Sequence, residues 1–392
     1  MIYTQLGARG PRVSRLGFGC MRLPSGPDGR PLRDESVQLL RQAFEWGVTY
    51  FDTAVGYCAG QSQPILGEAV APFRDRVVLS TKNPFHDAPY DRWRRALEDS
   101  LRLLRTDHID LYHLHSLNWD AFERHVAPSG GKLDGMRKAR DEGLIRHICC
   151  SVHDSAEALR RIAATGAFDV ITLQYNLLNR DYEEVMHEMA ARGIGIVVMG
   201  PIGGGRLGVN SDRIAALTGG AVQSTPEAAL RFVLGHPAVS LALSGMSSMD
   251  QLAENVRIVS EKPPFTPEQV AAMDAELRDA RARIGVNCPG CGYCMPCPRG
   301  VAIPDIFRRY NELRAMGLTA AARRGYAGLA AIAGADRCTQ CGACLPKCPQ
   351  RIEIPQMLQR SLAELDPACA GVTATLAPVG VTGPEFLIHL AC

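Results

Sequence analysis

The stretch Leu16-Gly17-Phe18-Gly19-Cys20-Met21, which runs out of the first β-rich segment (Arg15–Gly19), decides between two architectures. A doubly wound open sheet normally carries Gly-x-Gly-x-x-Gly at this turn. Two glycines are present here and the third is missing. Onward to about residue 260, short β-rich segments alternate with amphipathic helical ones. The predicted strands are Arg15–Gly19, Thr49–Asp52, Val77–Thr81, Ile109–Leu114, Ile145–Val152, Val170–Gln174, Gly195–Met199 and Leu241–Ser244. Between them lie predicted helical stretches such as Asp34–Trp46, Tyr90–Leu104, Ser155–Ala164, Tyr182–Arg192, Pro226–Gly235 and Met249–Val259. In the first helix Val37, Leu40 and Phe44 recur at the spacing of one buried face, with Asp34 as cap and Gly47 as terminator. Eight strand–helix repeats in about 250 residues is the count of a (β/α)8 TIM barrel. A further helix, Phe265–Arg283, opened by Thr266-Pro267-Glu268, closes this first domain, residues 1–283.

Composition fits that reading. At 46% hydrophobic and 21% charged residues, the 392-residue chain can bury a large core and is not a disordered sequence. A formal net charge of +2 gives no whole-chain field for nucleic acid or an anionic membrane surface. No apolar run approaches the ~18 residues of a spanning helix. No basic start followed by an apolar stretch marks a secretory signal, so a cytoplasmic location is expected.

Beyond residue 284 the character changes. Eight of the 14 cysteines fall in two runs, Cys288, Cys291, Cys294, Cys297 and Cys338, Cys341, Cys344, Cys348. A disulfide scaffold would be short, with its cysteines scattered to staple loops. Clustered cysteines in a long chain point to thiolate ligation in a reducing compartment. The second run, Cys338-x2-Cys341-x2-Cys344-x3-Cys348-Pro349, has the bacterial ferredoxin spacing for [4Fe–4S] clusters, in which the fourth cysteine serves the other cluster. The first run is one residue shorter before Cys297. Zinc is the alternative, but a zinc site needs paired cysteines and has little use for a third two residues on. Two [4Fe–4S] clusters are therefore expected in a ferredoxin-like, α-rich domain over 284–365. By the crossed arrangement Cys288, Cys291, Cys294 and Cys348 would hold one, and Cys338, Cys341, Cys344 and Cys297 the other. Gly342 would let the backbone approach the cluster. One helical stretch is expected from Ile303 to about Ala333. Residues 284–365 carry ten Lys/Arg against five Asp/Glu, a surplus that anionic clusters would balance without nucleic acid. Residues 366–392, with Cys369 and Cys392, show no recognisable chemistry.

In the barrel, catalytic groups belong at the C-terminal ends of strands. Asp52 ends the second strand and Tyr57 lies in the next loop; Lys82 follows the third strand, and His115 the fourth. Each alone reads as an ordinary polar residue, but four on successive strand ends form a pattern.

With Leu16–Leu23, Phe51-Asp52-Thr53-Ala54, Asp110-Leu111-Tyr112, Gln174-Tyr175-Asn176, Gly203-Gly204-Gly205 and Glu254-Asn255, the sequence resembles the aldo-keto reductase superfamily, in its bacterial branch with an appended ferredoxin-like domain. The resemblance implies a catalytic tetrad at Asp52, Tyr57, Lys82 and His115 and a nicotinamide cofactor, NAD(P)H, across the barrel mouth. It places Ser151, Gln174 and Tyr175 at the nicotinamide, Ser244 and Gly245 along the phosphates, and Glu254 and Asn255 at the adenine. A Lys82 ammonium would lower the ~10 of a tyrosine hydroxyl, so Tyr57 would protonate the oxygen that receives hydride, with His115 orienting the carbonyl. NADH is favoured over NADPH, because Ser244–Asn255 contains no Lys or Arg and Gln251 stands where an arginine is expected. The departures are Cys58 in place of glycine, Ser62-Gln63 for Ser-Glu, Gly200 for lysine, and the extra His113. The expected activity is interconversion of a small carbonyl compound and its alcohol. The competing reading is an electron-transfer protein with the barrel as docking scaffold for a redox partner protein; the complete tetrad argues against it. A reductase fed through its clusters would need a two-electron gate such as a flavin, for which no motif is present.

Overall fold

The computed structural model describes residues 1–367, so Cys369 and Cys392 lie outside the described residues. The chain forms two compact units, the first Met1–Leu277 and the second beginning at Arg278.

In the first unit, a short antiparallel hairpin, β1 (Tyr3–Gln5) and β2 (Arg12–Ser14), precedes eight parallel strands. These are β3 (Leu16–Gly19), β4 (Tyr50–Asp52), β5 (Val78–Asn83), β6 (Ile109–Leu117), β7 (Ile145–Val152), β8 (Val170–Gln174), β9 (Gly195–Met199) and β10 (Leu241–Ser244). They close as β10-β3-β4-β5-β6-β7-β8-β9, the expected TIM barrel. The eight predicted strands are present, several to the residue. The hairpin was not foreseen, because its strands are three residues long and show little alternation. It brings Leu6 and Val13 under the barrel, where they join Tyr50, Val78, Leu111 and Val170 in one apolar cluster at the start of the strands.

Strand side chains alternate, so residues two apart share the interior face. Read upward, the interior turns from apolar to polar: Tyr50 then Asp52; Val78 then Ser80 and Lys82; Leu111 then His113 and His115; Val170 then Thr172 and Gln174. Register makes these groups neighbours, with Asp52 beside Ser80, Lys82 beside His113 and Ser151 beside Thr172. The C-terminal mouth is therefore a polar layer above a dry plug.

Two local expectations are corrected. The first helix is Arg33–Glu45; its N-cap is Leu32, and Asp34 lies inside the first turn, where it meets the helix dipole without capping. Gly47 does terminate it, at φ +92° with its N–H on the Phe44 carbonyl. The predicted Phe265–Arg283 helix is Pro267–Ala282, with Thr266 accepting from the Gln269 N–H.

In the second unit the single helix expected from Ile303 to Ala333 is two, Ile303–Arg314 and Thr319–Ala333. Gly317 at φ +70° breaks the run, and the Leu318 N–H turns back to the Glu312 carbonyl. A further helix, Ile354–Leu365, completes the unit. Its core is small, built on Ile306, Phe307, Tyr310, Tyr326, Leu358 and Leu362, with Cys294 buried among them.

Candidate functional site

The barrel site begins with Asp52, the last residue of β4, and Lys82 on β5, 2% and 1% exposed. The Lys82 ammonium forms an ion pair with Asp52 Oδ1 and donates to the Thr53 carbonyl at 2.9 Å. Ser80, two residues earlier on the Lys82 face, donates its hydroxyl to Asp52 Oδ2 at 2.6 Å. A buried ion pair is stable only when its remaining lone pairs and protons are satisfied, and Ser80 and Thr53 do that here. Sequence reading missed Ser80, although the period-two spacing from Lys82 marks it.

Tyr57 stands above this pair, its ring centroid 5.0 Å from Lys82 Nζ. It opens a turn, Tyr57–Gly60, in which Cys58 and Ala59 take left-handed φ of 53° and 52°. That conformation explains why glycine suits position 58 and makes Cys58 a strained choice. His115 meets Tyr57 edge-on, with ring centroids 5.8 Å apart and planes at 80°. Burial, reinforced by Lys82, holds His115 well below the usual imidazole value. It is therefore neutral at physiological pH and offers an N–H as donor. Thus all four tetrad candidates meet at one point.

His113, the extra histidine, lies one layer deeper and is fully buried. Its Nδ1 is 3.4 Å from Ser80 Oγ and its Nε2 3.1 Å from Thr172 Oγ1, so it links Ser80 on β5 with Thr172 on β8. Burial first, then Lys82, pushes it down to about 3. It braces the floor of the site. Gln63 is likewise structural, donating to Thr81 and Ser100 at 2.8 and 2.9 Å. Gly200 adopts φ +63°, which disfavours a lysine there.

Gln174 is 3% exposed, and neither its amide nitrogen nor its amide oxygen has a hydrogen-bond partner. A buried amide left unpaired is costly; a carboxamide such as that of nicotinamide matches it donor to acceptor. Ser151 Oγ accepts the N–H of Ser116, whose φ of +54° marks an irregularity in the β6–β7 pairing just after His115. Tyr175, the third residue expected at the nicotinamide, packs against Phe232. Strand alternation turns it away from Gln174: it is 1% exposed, stacked on Phe232 at 5.4 Å, with its hydroxyl on Glu183. On the other side of the mouth Asn255 donates to Ser244 Oγ at 3.1 Å, and Glu254 accepts from Ser224 at 2.6 Å. Gly245 is exposed, with the Arg22 side chain beside it. Arg206, 3% exposed beside the Gly203–Gly205 turn, is a buried cation that sequence reading missed.

In the second unit the cysteines form two groups that cross between the runs. Cys294 is pushed up to about 12 by burial first, and then by Cys288, Cys291 and Cys348. Cys338 and Cys344 are raised by burial and by Cys297 and Cys341. Cys297, Cys338, Cys341 and Cys344 line one cavity. Among the described residues no three such side chains close on a single ion. Four thiols lining one cavity can serve as the corner ligands of an iron–sulfur cluster. Gly342 sits at φ +73° with only Leu345 near its missing side chain, so the loop's own turn already requires glycine.

No helix among the described residues is long and apolar enough to cross a membrane. Comparison with known proteins agrees with both units. The profile of the aldo/keto reductase family matches residues 15–221 and 212–278, and that of a 4Fe-4S dicluster domain matches residues 287–353. Among curated relatives, the uncharacterized oxidoreductase YrpG of Bacillus subtilis is 30% identical over 66% of this chain and 91% of its own length. L-galactose dehydrogenase of Arabidopsis thaliana is 25% identical over 69% of this chain and 92% of its own. Among solved structures, the holo form of aldo-keto reductase AKR11C1 from Bacillus halodurans covers 70% of this chain and 96% of its own, at 28% identity and a TM-score of 0.60. With a closed eight-stranded barrel, Asp52, Lys82, Tyr57 and His115 gathered at its mouth, and a family match across most of the chain, this oxidoreductase belongs to the aldo/keto reductase family and carries a C-terminal 4Fe-4S dicluster domain.

Proposed function

We propose that the barrel interconverts a small carbonyl compound and its alcohol, with NAD(P)H supplying or accepting the hydride. The observation that carries this reading is the buried Asp52–Lys82 pair with Tyr57 poised above it and neutral His115 alongside. When a carbonyl carbon gains hydride, its oxygen becomes an alkoxide and needs a proton. Tyr57 donates that proton from its hydroxyl. The Lys82 ammonium favours the phenolate left behind, and Asp52, held by Ser80, keeps the ammonium in place. His115 donates a hydrogen bond to the substrate oxygen and orients it as charge develops. Gln174 and Ser151 orient the nicotinamide from the barrel rim, and Ser244, Gly245, Glu254 and Asn255 hold the rest of the dinucleotide.

NADH is the preferred form. Gln251 is occupied in capping, its oxygen accepting from the Ser247 N–H at 2.9 Å. Arg257 is turned to Glu227 at 4.0 Å. Neither is placed to grip a 2′-phosphate. A missing charge-assisted contact is worth ~1.5–3 kcal/mol, or tenfold and more in affinity. Equilibrium titration should show tighter NADH binding; tighter, steeply salt-dependent NADPH binding would overturn this preference.

The dicluster unit holds two [4Fe–4S] clusters in the crossed pattern, one on Cys288, Cys291, Cys294 and Cys348, the other on Cys338, Cys341, Cys344 and Cys297. Anaerobically prepared protein should yield about eight iron and eight sulfide per chain. The decisive test of the barrel reading is Tyr57→Phe, which keeps the ring and removes the hydroxyl. Carbonyl reduction should fall ~10²–10⁴-fold while cofactor affinity holds. Wild-type turnover in this variant, with chemistry rate-limiting, would refute the assignment.

A further inference from the structure

In the second unit the two cysteine groups sit in unlike surroundings. Cys294, of the first group, is 8% exposed and belongs to the apolar core with Val286, Ile306 and Tyr310. Cys341, of the second, is the one cysteine that is exposed among the described residues. It lines a cavity with Cys297, Cys338 and Cys344, and Arg299 borders that same cavity. A turn closed by the Gly300 N–H on the Cys297 carbonyl, at 2.9 Å, fixes Arg299 close to Cys297. Ile303, Pro355 and Leu358 also border the cavity, and no Asp or Glu does. Arg299 is exposed and forms no ion pair among the described residues, so no carboxylate there neutralises it. At such an edge arginine lays its stem along the apolar wall and keeps its head group in water.

An electron added to an iron–sulfur cluster adds one negative charge. Water and a nearby cation favour that charge, and an apolar core opposes it. We propose that Arg299, at the edge of the cavity formed by Cys297, Cys338, Cys341 and Cys344, makes the cluster held there the higher-potential one of two. The first electron to enter the unit then rests at this exposed site, and the site of Cys294 is reduced second. Each step is the uptake of one electron from an external one-electron donor; no bond forms or breaks and no proton moves. The exposed site is thus the port for single electrons, and the buried one lies behind it. This inference rests on the reading of two [4Fe–4S] clusters in the crossed pattern.

The test is an anaerobic potentiometric titration of the full-length protein with dithionite, followed by electron paramagnetic resonance. The wild type should show two resolved one-electron steps. Arg299→Gln should move the upper step down by about tenfold in its redox equilibrium, ~59 mV for one electron. The lower step should stay within about twofold. Arg299→Glu should roughly double the shift, and Arg299→Lys should leave both steps near their wild-type places. Because the charge is exposed, the difference between wild type and Arg299→Gln should shrink as salt rises from about 0.05 to 0.5 M. Damage to the loop would show no such dependence. Unmoved steps in Arg299→Gln, an equal shift of both, or a shift of the lower step alone would overturn the proposal. Iron and sulfide analysis separates this from failure of the cluster reading. A wild type with fewer than two clusters would refute that reading and the proposal with it, whereas two clusters insensitive to Arg299 would refute the proposal alone.

Discussion

At the barrel mouth Lys82 is 1% exposed, and its ammonium, its carboxylate partner and the serine behind them are satisfied by one another. In the second unit Cys341 is exposed, and Cys297, Cys338 and Cys344 surround a cavity without closing on one point. The first site rests on strand ends whose positions are set by a closed hydrogen-bonded barrel. The second rests on loops over a core of about a dozen side chains, which by itself supplies little stability. The difference teaches what each region requires of its cofactor. The candidate reacting groups of the barrel are held by one another, whereas on the proposed reading the cysteine loops would depend on their clusters to hold them.

The sharpest way to break that contrast is to remove the iron. Anaerobic chelation should unfold the region from about residue 284 onward while the barrel melts as before, because folding energy in small metal domains comes from the metal. Proteolysis followed by mass spectrometry would report it. A second unit that stays folded without iron would abolish the distinction.

Next in size is Lys82→Met, which leaves Asp52 as a buried charge with no counter-ion. Such broken pairs cost ~3–5 kcal/mol, read as a shift in the urea midpoint of the barrel transition. Adding Asp52→Asn should recover most of it. If the single variant costs under ~1 kcal/mol, the pair is not the self-sufficient support described.

Acid should weaken the barrel through its floor. His113 in that floor is pushed down to about 3, and His153, just after the C-terminal end of β7, to about 4, both by burial first. Between those values and ~6.5 the unfolded chain binds protons that the folded barrel refuses. Stability therefore rises with pH across this window and is lost as pH falls through it, by a few kcal/mol. Thermal melts from pH 7 to 4 should show the slope, and His113→Gln should make it shallower. An unchanged slope would mean that this layer is not what acid attacks.

The smallest effect sharpens the comparison inside the active-site turn. Cys58 is held at φ 53°, which glycine adopts without strain, so Cys58→Gly should stabilise the barrel by up to ~1 kcal/mol. A destabilised variant would show that the Cys58 contacts with the Cys20 and Met21 carbonyls, both at 3.6 Å, outweigh the strain.

Much of this molecule is written locally. Period-two and period-3.6 patterns located the eight barrel strands and six of the helices between and after them, because burying one face of each element leaves its mark on neighbouring residues. The cysteine runs announced clusters for a similar reason, since a compact cofactor requires ligands close in sequence. Among the features that escaped are the Tyr3–Ser14 hairpin, the helices Ser62–Val70 and Lys132–Asp141, the break at Gly317 and the helix Ile354–Leu365. What the tertiary structure alone decided are relations between distant residues. That Ser80 holds Asp52, that His113 ties β5 to β8 and that Tyr175 stacks on Phe232 all depend on how the barrel closes. A one-dimensional pattern shows which face a side chain takes. Only the closed sheet determines which groups from other strands share that face, because their separation in sequence exceeds anything a local period can encode.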